Sequence, residues 1–233
     1  MIEAGWQADT QELTYAKGSR PEKGKNLAIA EWPTLGKEAA DYVLFAGLTP
    51  IAVVEAKRKN TNVAGKIPQA ERYSRGYRQL PDAQSAWQRE GRAAGWPDTD
   101  SSHFEIPFVY SSNSRPYLQQ LAEQSGTWFR DVRSPANLAK PLMDFHTPAG
   151  LLDQLTRSKA AAEAKLQQEG FAYLHLRNYQ ERAIQAVETA LAAGQSDCLL
   201  AMATGTGKTR TIIGLMYRFL KAERFRRILF LVD

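Results

Sequence analysis

The sequence predicts an α/β protein in which a mixed sheet with flanking helices precedes the opening of a second, parallel α/β domain. Two apolar segments rich in β-branched and aromatic residues, 41–46 and 51–57, flank the turn signal Gly-Leu-Thr-Pro at 47–50 and predict a β-hairpin. A helix-compatible pattern with basic residues follows at 66–80. Residues 171–233 are ordered as helix, apolar strand, glycine-rich loop, helix and apolar strand, which is typical of a parallel α/β domain.

The remaining elements are predicted from local composition. Segments rich in apolar and β-branched residues indicate strands, and a stretch rich in Ala, Gln, Lys and Glu indicates a helix that a glycine ends. The predicted strands are 27–32, 103–110 with a turn at 111–113, 128–132, 198–203 and 228–232. The predicted helices are 151–169, 177–193 and a third that runs from the glycine-rich loop to about Ala222.

Prolines and a glycine between residues 141 and 150 indicate a domain boundary. We therefore predict a first domain at 1–148, a helical linker at 149–172 and a second domain at 173–233. Because roughly 60 residues are too few for a parallel α/β domain to bury a full core, we expect the second domain to be incomplete.

The composition excludes several classes of protein. The hydrophobic share of 43% and the charged share of 24% are those of a globular protein, so a disordered chain, a collagen and a coiled coil are excluded. We expect no membrane partner and no secretory signal, since the sequence lacks a long apolar run and a basic start followed by an apolar stretch. The single cysteine, Cys198, excludes an internal disulfide and favours the cytoplasm. We expect it to be a buried, inert thiol in its apolar strand.

Residues 203–209 form the most specific motif, Ala-Thr-Gly-Thr-Gly-Lys-Thr, between a predicted strand and a predicted helix. Backbone N–H groups of such a loop wrap phosphate oxygens, and the following helix N-terminus favours negative charge. We expect Lys208 to reach the β- and γ-phosphates of ATP and Thr209 to ligate Mg²⁺. The rest of the predicted phosphate cradle is Thr204, Gly205, Thr206 and Gly207. A glycine-rich turn without a ligand is the alternative.

The predicted hairpin brings two carboxylates and a lysine together. Antiparallel pairing across the turn places Asp41 opposite the region of Glu55 and Lys57, and the latter two share one strand face because they are two residues apart. Two adjacent carboxylates repel each other unless a cation lies between them, and Mg²⁺ prefers such oxygen ligands. Lys57 is then placed to orient or deprotonate a water. The alternative is a solvated hairpin end.

Gln69 and Tyr73 are four residues apart, so they lie on one face of the predicted helix. Arg72, Arg75 and Arg78 surround them, either as phosphate contacts or as a solvated helix face.

The phosphate loop, the carboxylate–lysine group and the Gln69–Tyr73 pair each resemble elements of known families. The loop is similar to the phosphate loop of superfamily 2 helicases and translocases, in whose RecA-like domain Gln180 would contact the adenine. Asp41 with Glu-Ala-Lys at 55–57 resembles the PD-(D/E)xK nuclease core, with Ala40 in the proline position. Gln69 and Tyr73 resemble the Gln-x-x-x-Tyr element of its RecB-like branch, which helps to place DNA and the catalytic site.

A wider resemblance spans essentially the whole chain. The segments that carry it are 2–6, 13–18, 20–21, 23–33, 40–44, 53–57, 107–110 and 176–209. They resemble the restriction (R) subunit of type I restriction–modification enzymes. The resemblance implies a PD-(D/E)xK nuclease-like mixed sheet followed by a truncated RecA-like domain, in an N-terminal fragment of a much longer protein.

The resemblance also implies an activity, that of a type I site-specific deoxyribonuclease. Such an enzyme would cut double-stranded DNA with Mg²⁺, pump it with ATP, and assemble with methylation (M) and specificity (S) subunits in the cytoplasm. Asp41, Glu55 and Thr209 would be metal ligands. In this nuclease branch an upstream acidic residue can add to the site, and Glu3 and Glu12 are candidates.

Because the acidic box and the second lobe of a motor are not in the sequence, we expect this chain to bind nucleotide weakly and not to hydrolyse it efficiently. Two rival hypotheses stay open. One is a non-catalytic DNA-binding or assembly module, and the other is a helicase-like ATPase whose N-terminal domain is structural.

Overall fold

The structure is a computed structural model that describes residues 1–36, 38–98, 102–157, 159–225 and 227–231. The chain divides into two compact units, Met1–Thr156 and Arg157–Asp233. The strands of the first unit are β1 (Gln7–Ala8), β2 (Asn26–Pro33), β3 (Ala39–Ala46), β4 (Thr49–Ala56), β5 (Trp96–Pro97), β6 (His103–Phe104), β7 (Phe108–Ser112), β8 (Thr127–Asp131) and β9 (Lys140–Leu142). Its α-helices are α1 (Ile67–Arg75), α2 (Ala86–Arg89) and α3 (Pro148–Thr156).

In the described part of the first unit, seven strands form one sheet in the order β1-β2-β3-β4-β7-β8-β9. β4 pairs antiparallel with β3 and parallel with β7, while β8 and β9 continue antiparallel from β7. The predicted mixed sheet with flanking helices is therefore confirmed. A parallel connection requires a crossover, and α1 lies in the segment that joins β4 to β7.

The predicted hairpin is confirmed as β3 and β4. Gly47 has a φ of 62°, a left-handed conformation that glycine adopts without strain, and it makes the reversal possible in two residues. Every residue of β4 except Ala56 is buried, as expected of a central strand that is covered on both faces. The hairpin thus buries Glu55, the next-to-last residue of β4, while the strand reaches the surface at Ala56.

Two strand boundaries differ from the prediction. The strand predicted at 103–110 is two elements, because β6 pairs with β5 and β7 begins only after Pro107, which has no N–H to donate. The turn predicted at 111–113 is wrong for its first two residues. Ser111 and Ser112 continue β7 because β4 and β8 pair with them on both sides, and this pairing overrides the preference of serine for turns.

The first compact unit extends beyond the predicted boundary at residue 148. In α3, Leu151 and Leu155 are fully buried in the main hydrophobic cluster of this unit. Arg133 donates hydrogen bonds to the carbonyl oxygens of Gln154 (2.9 Å) and Leu155 (2.9 Å). Carbonyl groups in the last turn of a helix have no N–H partner within the helix, so these bonds cap its C-terminus. Packing and capping together make α3 part of the first unit.

The helices of the second unit are α4 (Lys159–Gln168), α5 (Asn178–Ala192) and α6 (Lys208–Lys221). The helices predicted at 177–193 and after the loop are confirmed, whereas the single helix predicted at 151–169 is two, α3 and α4. Arg218 of α6 is fully buried, and its guanidinium contacts Glu188 of α5 (2.7 Å) and the carbonyl of Leu166 in α4 (2.7 Å). This arginine joins the three helices.

Within the described residues, the strands predicted for the second unit do not form. Residues 198–203 have no strand structure, and Leu199 is 94% exposed. Cys198 is exposed, so the prediction of a buried thiol is wrong. Residues 228–231 are also without strand structure, and residue 232 lies outside the described residues. A parallel strand is stable only with hydrogen-bonded neighbours and helices over both faces, and neither segment has such a neighbour here.

We predict that Leu155→Ala lowers the free energy of unfolding of the first unit by about 2–5 kcal/mol, because it removes a fully buried leucine. The measurement is urea denaturation followed by tryptophan fluorescence. Thr156→Ala, at an exposed position of the same helix, is the control and should change stability by less than about 0.5 kcal/mol. Equal stability of Leu155→Ala and the wild type would contradict the placement of α3 in the core.

Candidate active site

The predicted carboxylate pair lies at the end of the β3–β4 hairpin. The outermost pair of this ladder is Tyr42 with Val54, and the next positions outward are Asp41 and Glu55. The Asp41 carboxylate accepts a hydrogen bond from the backbone N–H of Ala56 (2.7 Å), which fixes it beside β4. The side chain of Glu55 is only 1% exposed. The fold thus brings one partly buried and one fully buried carboxylate together.

Glu55 forms an ion pair with Lys57 on the same strand face. Burial raises the pKa of Glu55, the ion pair with Lys57 partly offsets this, and the negative charge of Asp41 raises the pKa again. Burial alone would lower the pKa of Lys57, but the hydrogen bond and charge of Glu55, with the charge of Asp41, raise it overall. Lys57 is therefore held as a cation against two carboxylates.

Helix α1 adds the predicted Gln69 and Tyr73 to this site. The amide of Gln69 donates a hydrogen bond to the Tyr73 hydroxyl (2.7 Å), so the two residues act as one unit on the helix face. Burial raises the pKa of Tyr73, and the charges of Glu55 and Asp41 raise it further. Tyr73 is thus close enough to the carboxylate pair to feel its field, and its hydroxyl keeps its proton at neutral pH.

The three predicted arginines, of which Arg72 and Arg75 lie in α1 and Arg78 follows it, differ from one another. Arg72 and Arg78 are exposed, whereas Arg75 is bound to Asp98 (2.6 Å) and lies 3.7 Å from Glu71. Arg75 is therefore a structural contact, and Arg72 and Arg78 remain available to a polyanion.

The two upstream acidic candidates lie outside the carboxylate cluster. Glu12 forms an exposed ion pair with Lys17 (3.1 Å), and Glu3 is exposed.

The carboxylate pair fits a hard divalent cation. Apart from its ion pair with Lys57, the buried Glu55 carboxylate has no hydrogen-bond donor among the described residues, although buried carboxylate oxygens are ordinarily bonded more fully. Asp41 and Glu55 supply the one or two carboxylates that Mg²⁺ takes from a protein, its other positions being filled by water or substrate oxygens. Within the described ranges, no group of three or more His, Cys, Asp or Glu side chains could hold a metal. The donor set is therefore limited to this pair.

The predicted phosphate loop lies in the second unit. Gly205 (φ 80°) and Gly207 (φ 78°) both adopt left-handed conformations, and Gly207 immediately precedes α6. Lys208 and Thr209 occupy the first turn of α6 and are exposed. The N–H groups of this helix end and the lysine are thus open to an anion, as a phosphate-binding loop requires.

Gln180 is bound to this loop. Its side chain is 3% exposed, and its amide nitrogen donates to the carbonyl oxygens of Thr206 (3.0 Å) and Gly207 (3.3 Å). Its amide oxygen accepts from the N–H of Arg177 (3.0 Å), which closes the N-terminus of α5. The structure therefore shows a loop-supporting role that the sequence did not suggest, while the predicted adenine contact stays a prediction.

We predict that Glu55→Gln stabilises the chain by on the order of 1 kcal/mol at pH 7.5 in chelator. Because the folded-state pKa of Glu55 is raised above the ordinary 4.5, its ionisation costs folding stability at pH values above that raised pKa. Below about pH 4.5 the carboxyl is protonated in both the folded and unfolded states, so the difference should vanish. The measurement is the Tm of Glu55→Gln and of the wild type, taken at pH 7.5 and again below about pH 4.5.

The control for this prediction is Glu22→Gln, which removes an exposed carboxylate paired with Lys25 and should leave Tm unchanged. A lower Tm for Glu55→Gln than for the wild type at pH 7.5 would contradict the interpretation.

Two family models match the chain. The family model described as the second domain of the type I restriction enzyme EcoKI endonuclease subunit matches residues 7–155. The family model described as the res subunit of type III restriction enzymes matches residues 173–233, the range that contains the phosphate loop. No solved structure gives a significant match. Among the described residues, no helix combines the length and apolar character needed to cross a bilayer.

Two curated relatives align with nearly the whole chain. The EcoKI endonuclease subunit of Escherichia coli (strain K12) is 44% identical over 262 positions, which cover 99% of this chain and 21% of that subunit. The EcoAI endonuclease subunit of Escherichia coli is 28% identical over 248 positions, covering 100% of this chain and 25% of that subunit. The chain thus spans a quarter or less of the length of these relatives. With a family model over most of its length, the chain belongs to the endonuclease (R) subunits of type I restriction enzymes.

Proposed function

We propose that the first unit carries a Mg²⁺-dependent PD-(D/E)xK endonuclease centre that cleaves double-stranded DNA, coupled in the complete R subunit to ATP-driven DNA translocation. The observation that carries the proposal is the buried Glu55 carboxylate beside Asp41, which has no hydrogen-bond donor among the described residues apart from its ion pair with Lys57. A carboxylate held in the core of an apolar sheet with so few partners destabilises the fold, which indicates a functional reason.

Asp41 and Glu55 would hold the cation in this centre. When bound, Mg²⁺ polarises the phosphodiester, helps to generate hydroxide and stabilises the leaving oxygen. Lys57, held as a cation by Glu55 and Asp41, which raise its pKa, would orient a water and offset phosphate charge. Tyr73 keeps its proton and is oriented by Gln69, so its hydroxyl can donate a hydrogen bond to the DNA backbone.

The second unit supplies the nucleotide site of the proposal. Lys208 would contact the β- and γ-phosphates of ATP, and Thr209 would contribute to Mg²⁺ binding beside them. Thr204, Gly205 and Thr206 would complete the cradle around the phosphates. The match to the res subunit of type III restriction enzymes supports this assignment. We further propose that the complete protein works in the cytoplasm with M and S subunits, as its family membership suggests.

We predict that Asp41→Ala or Lys57→Ala, in the complete R subunit assembled with M and S subunits, lowers plasmid cleavage by at least about 100-fold. ATP hydrolysis and DNA translocation should continue, because the phosphate loop is untouched. Lys59→Ala, an exposed lysine two residues further on, is the control.

Retained cleavage by either variant would contradict the nuclease assignment. Two other outcomes favour the rival functions. Salt-sensitive DNA binding with no Mg²⁺-dependent cleavage by the wild type would favour a non-catalytic DNA-binding module. ATP turnover with no cleavage by the wild type would favour a helicase-like ATPase with a structural first domain.

We predict that Gly207→Ala in the complete R subunit weakens ATP binding by at least about tenfold. A Cβ atom at this position would lie 2.6 Å from the Gln180 amide nitrogen, and the left-handed φ of 78° adds strain. Gly194→Ala is the matched control, since it has a φ of 90° and open space around it. Equal ATP affinity of Gly207→Ala and the wild type would contradict the proposed cradle.

A further inference from the structure

Strand β7 also places a residue beside the proposed cation site. β4 and β7 are parallel, and Glu55 is the in-register partner of Ser111. Side chains at directly opposed positions of neighbouring strands project from the same face of the sheet. Glu55 therefore has Asp41 on its β3 side and Ser111 on its β7 side.

The hydroxyl of Ser111 is buried and unsatisfied. Ser111 is 0% exposed, and its Oγ has no hydrogen-bond partner. The other buried serines in the described part of the chain are all bonded, and they are Ser74, Ser85, Ser112 and Ser125. Ser112, the next residue, places its Oγ 3.0 Å from the Thr127 hydroxyl. Ser111 is thus the exception among the buried serines of the described residues.

Two neighbouring residues at this point of the sheet carry incompletely bonded polar groups. Apart from its ion pair with Lys57, the Glu55 carboxylate has no hydrogen-bond donor among the described residues, and the Oγ of Ser111, its neighbour in register, has no partner. Burying a polar group without a partner opposes folding, so such a group calls for an explanation. Two carboxylate acceptors beside a hydroxyl, which both donates and accepts, match a hydrated cation: the carboxylates ligate the ion and the hydroxyl bonds its water.

We propose that Ser111 is a positioning residue of the divalent-cation site, with its hydroxyl hydrogen-bonded to a water of the cation held by Asp41 and Glu55. The inference rests on the proposed function, since it requires that cation. It assigns to β7 a part of the site that Asp41, Glu55 and Lys57 do not supply. Removing such an outer partner typically weakens metal affinity about 10- to 100-fold while leaving the ligands in place.

The experiment compares the wild type with Ser111→Ala, Ser112→Ala and Asp41→Ala, each as the full chain. Tm is measured first in chelator and then against increasing MgCl₂, because a cation that binds only the folded state raises Tm. In chelator, Ser111→Ala should equal or exceed the wild type, since it removes an unsatisfied group, whereas Ser112→Ala should melt lower because it loses the bond to Thr127.

In MgCl₂ we expect Ser111→Ala to need about tenfold more Mg²⁺ than the wild type for the same rise in Tm. Ser112→Ala should show the wild-type Mg²⁺ midpoint, and Asp41→Ala should show no rise. A wild-type Mg²⁺ midpoint for Ser111→Ala overturns the inference and leaves the proposed function standing. A rise that persists in Asp41→Ala, or no rise in the wild type, overturns the cation site and the inference with it.

In the complete R subunit with its M and S subunits, the Mg²⁺ concentration for half-maximal cleavage provides the second readout. Ser111→Ala should raise it about tenfold while the rate at saturating Mg²⁺ stays within about twofold of the wild type, as a positioning role predicts. An unchanged Mg²⁺ requirement, with a lower rate at saturation, would overturn the inference.

Discussion

The proposed site depends on a single buried carboxylate, that of Glu55, and among the described residues Lys57 alone offsets its charge. Removing an ionised carboxylate from water is costly, and an ion pair alone seldom compensates for that cost. The protein holds the group there by putting it at the end of β4, a central strand buried along almost its whole length. Asp41, on the neighbouring strand, adds a second negative charge instead of relieving the first. The result is a site that gains from a bound cation.

The rest of the first unit fixes the helix that completes this site. Ser74 of α1 donates to the carbonyl of Ile106 (2.7 Å), just before β7 begins. Glu71, on the same helix, pairs with Arg130 of β8 (2.5 Å). These contacts attach α1 to the strands on the far side of β4, and so they set the position of Tyr73 relative to the carboxylates. A rigid helix over a rigid sheet is the kind of support that a preorganised site needs.

Buried polar side chains join the helices in the described part of the second unit. Arg218 is buried and contacts Glu188, the carbonyl of Leu166 and the ring of Phe171, with its guanidinium carbon 4.0 Å from the ring centre. Gln180 performs the corresponding task at the phosphate loop by bonding two of its carbonyls. Both residues are polar side chains that are buried because they bind backbone oxygens on other elements.

Much of the first unit could be predicted because local signals decide it. The hairpin has a turn signal between two β-forming segments, and Gln69 and Tyr73 share a helix face by spacing alone. Ser111 could not be found in this way, because its polarity suggests a turn and only the pairing of β7 with β4 buries it. In the part of the second unit that the structure describes, the predicted strands do not form, and here the local signal is present but the tertiary partners are not. Residues 198–203 have the composition of a strand, but composition does not supply the neighbours that a parallel strand requires.

Burial and the charge of Asp41 raise the pKa of the Glu55 carboxyl, and we propose that a divalent cation reverses this shift. The most direct measurement is the titration of the Glu55 side-chain carboxyl by ¹³C NMR, with chelator and with saturating Mg²⁺. We predict a pKa above 4.5 in chelator and a lower pKa in Mg²⁺, because the cation stabilises the charged form. A pKa at or below 4.5 in chelator that does not respond to Mg²⁺ would contradict it.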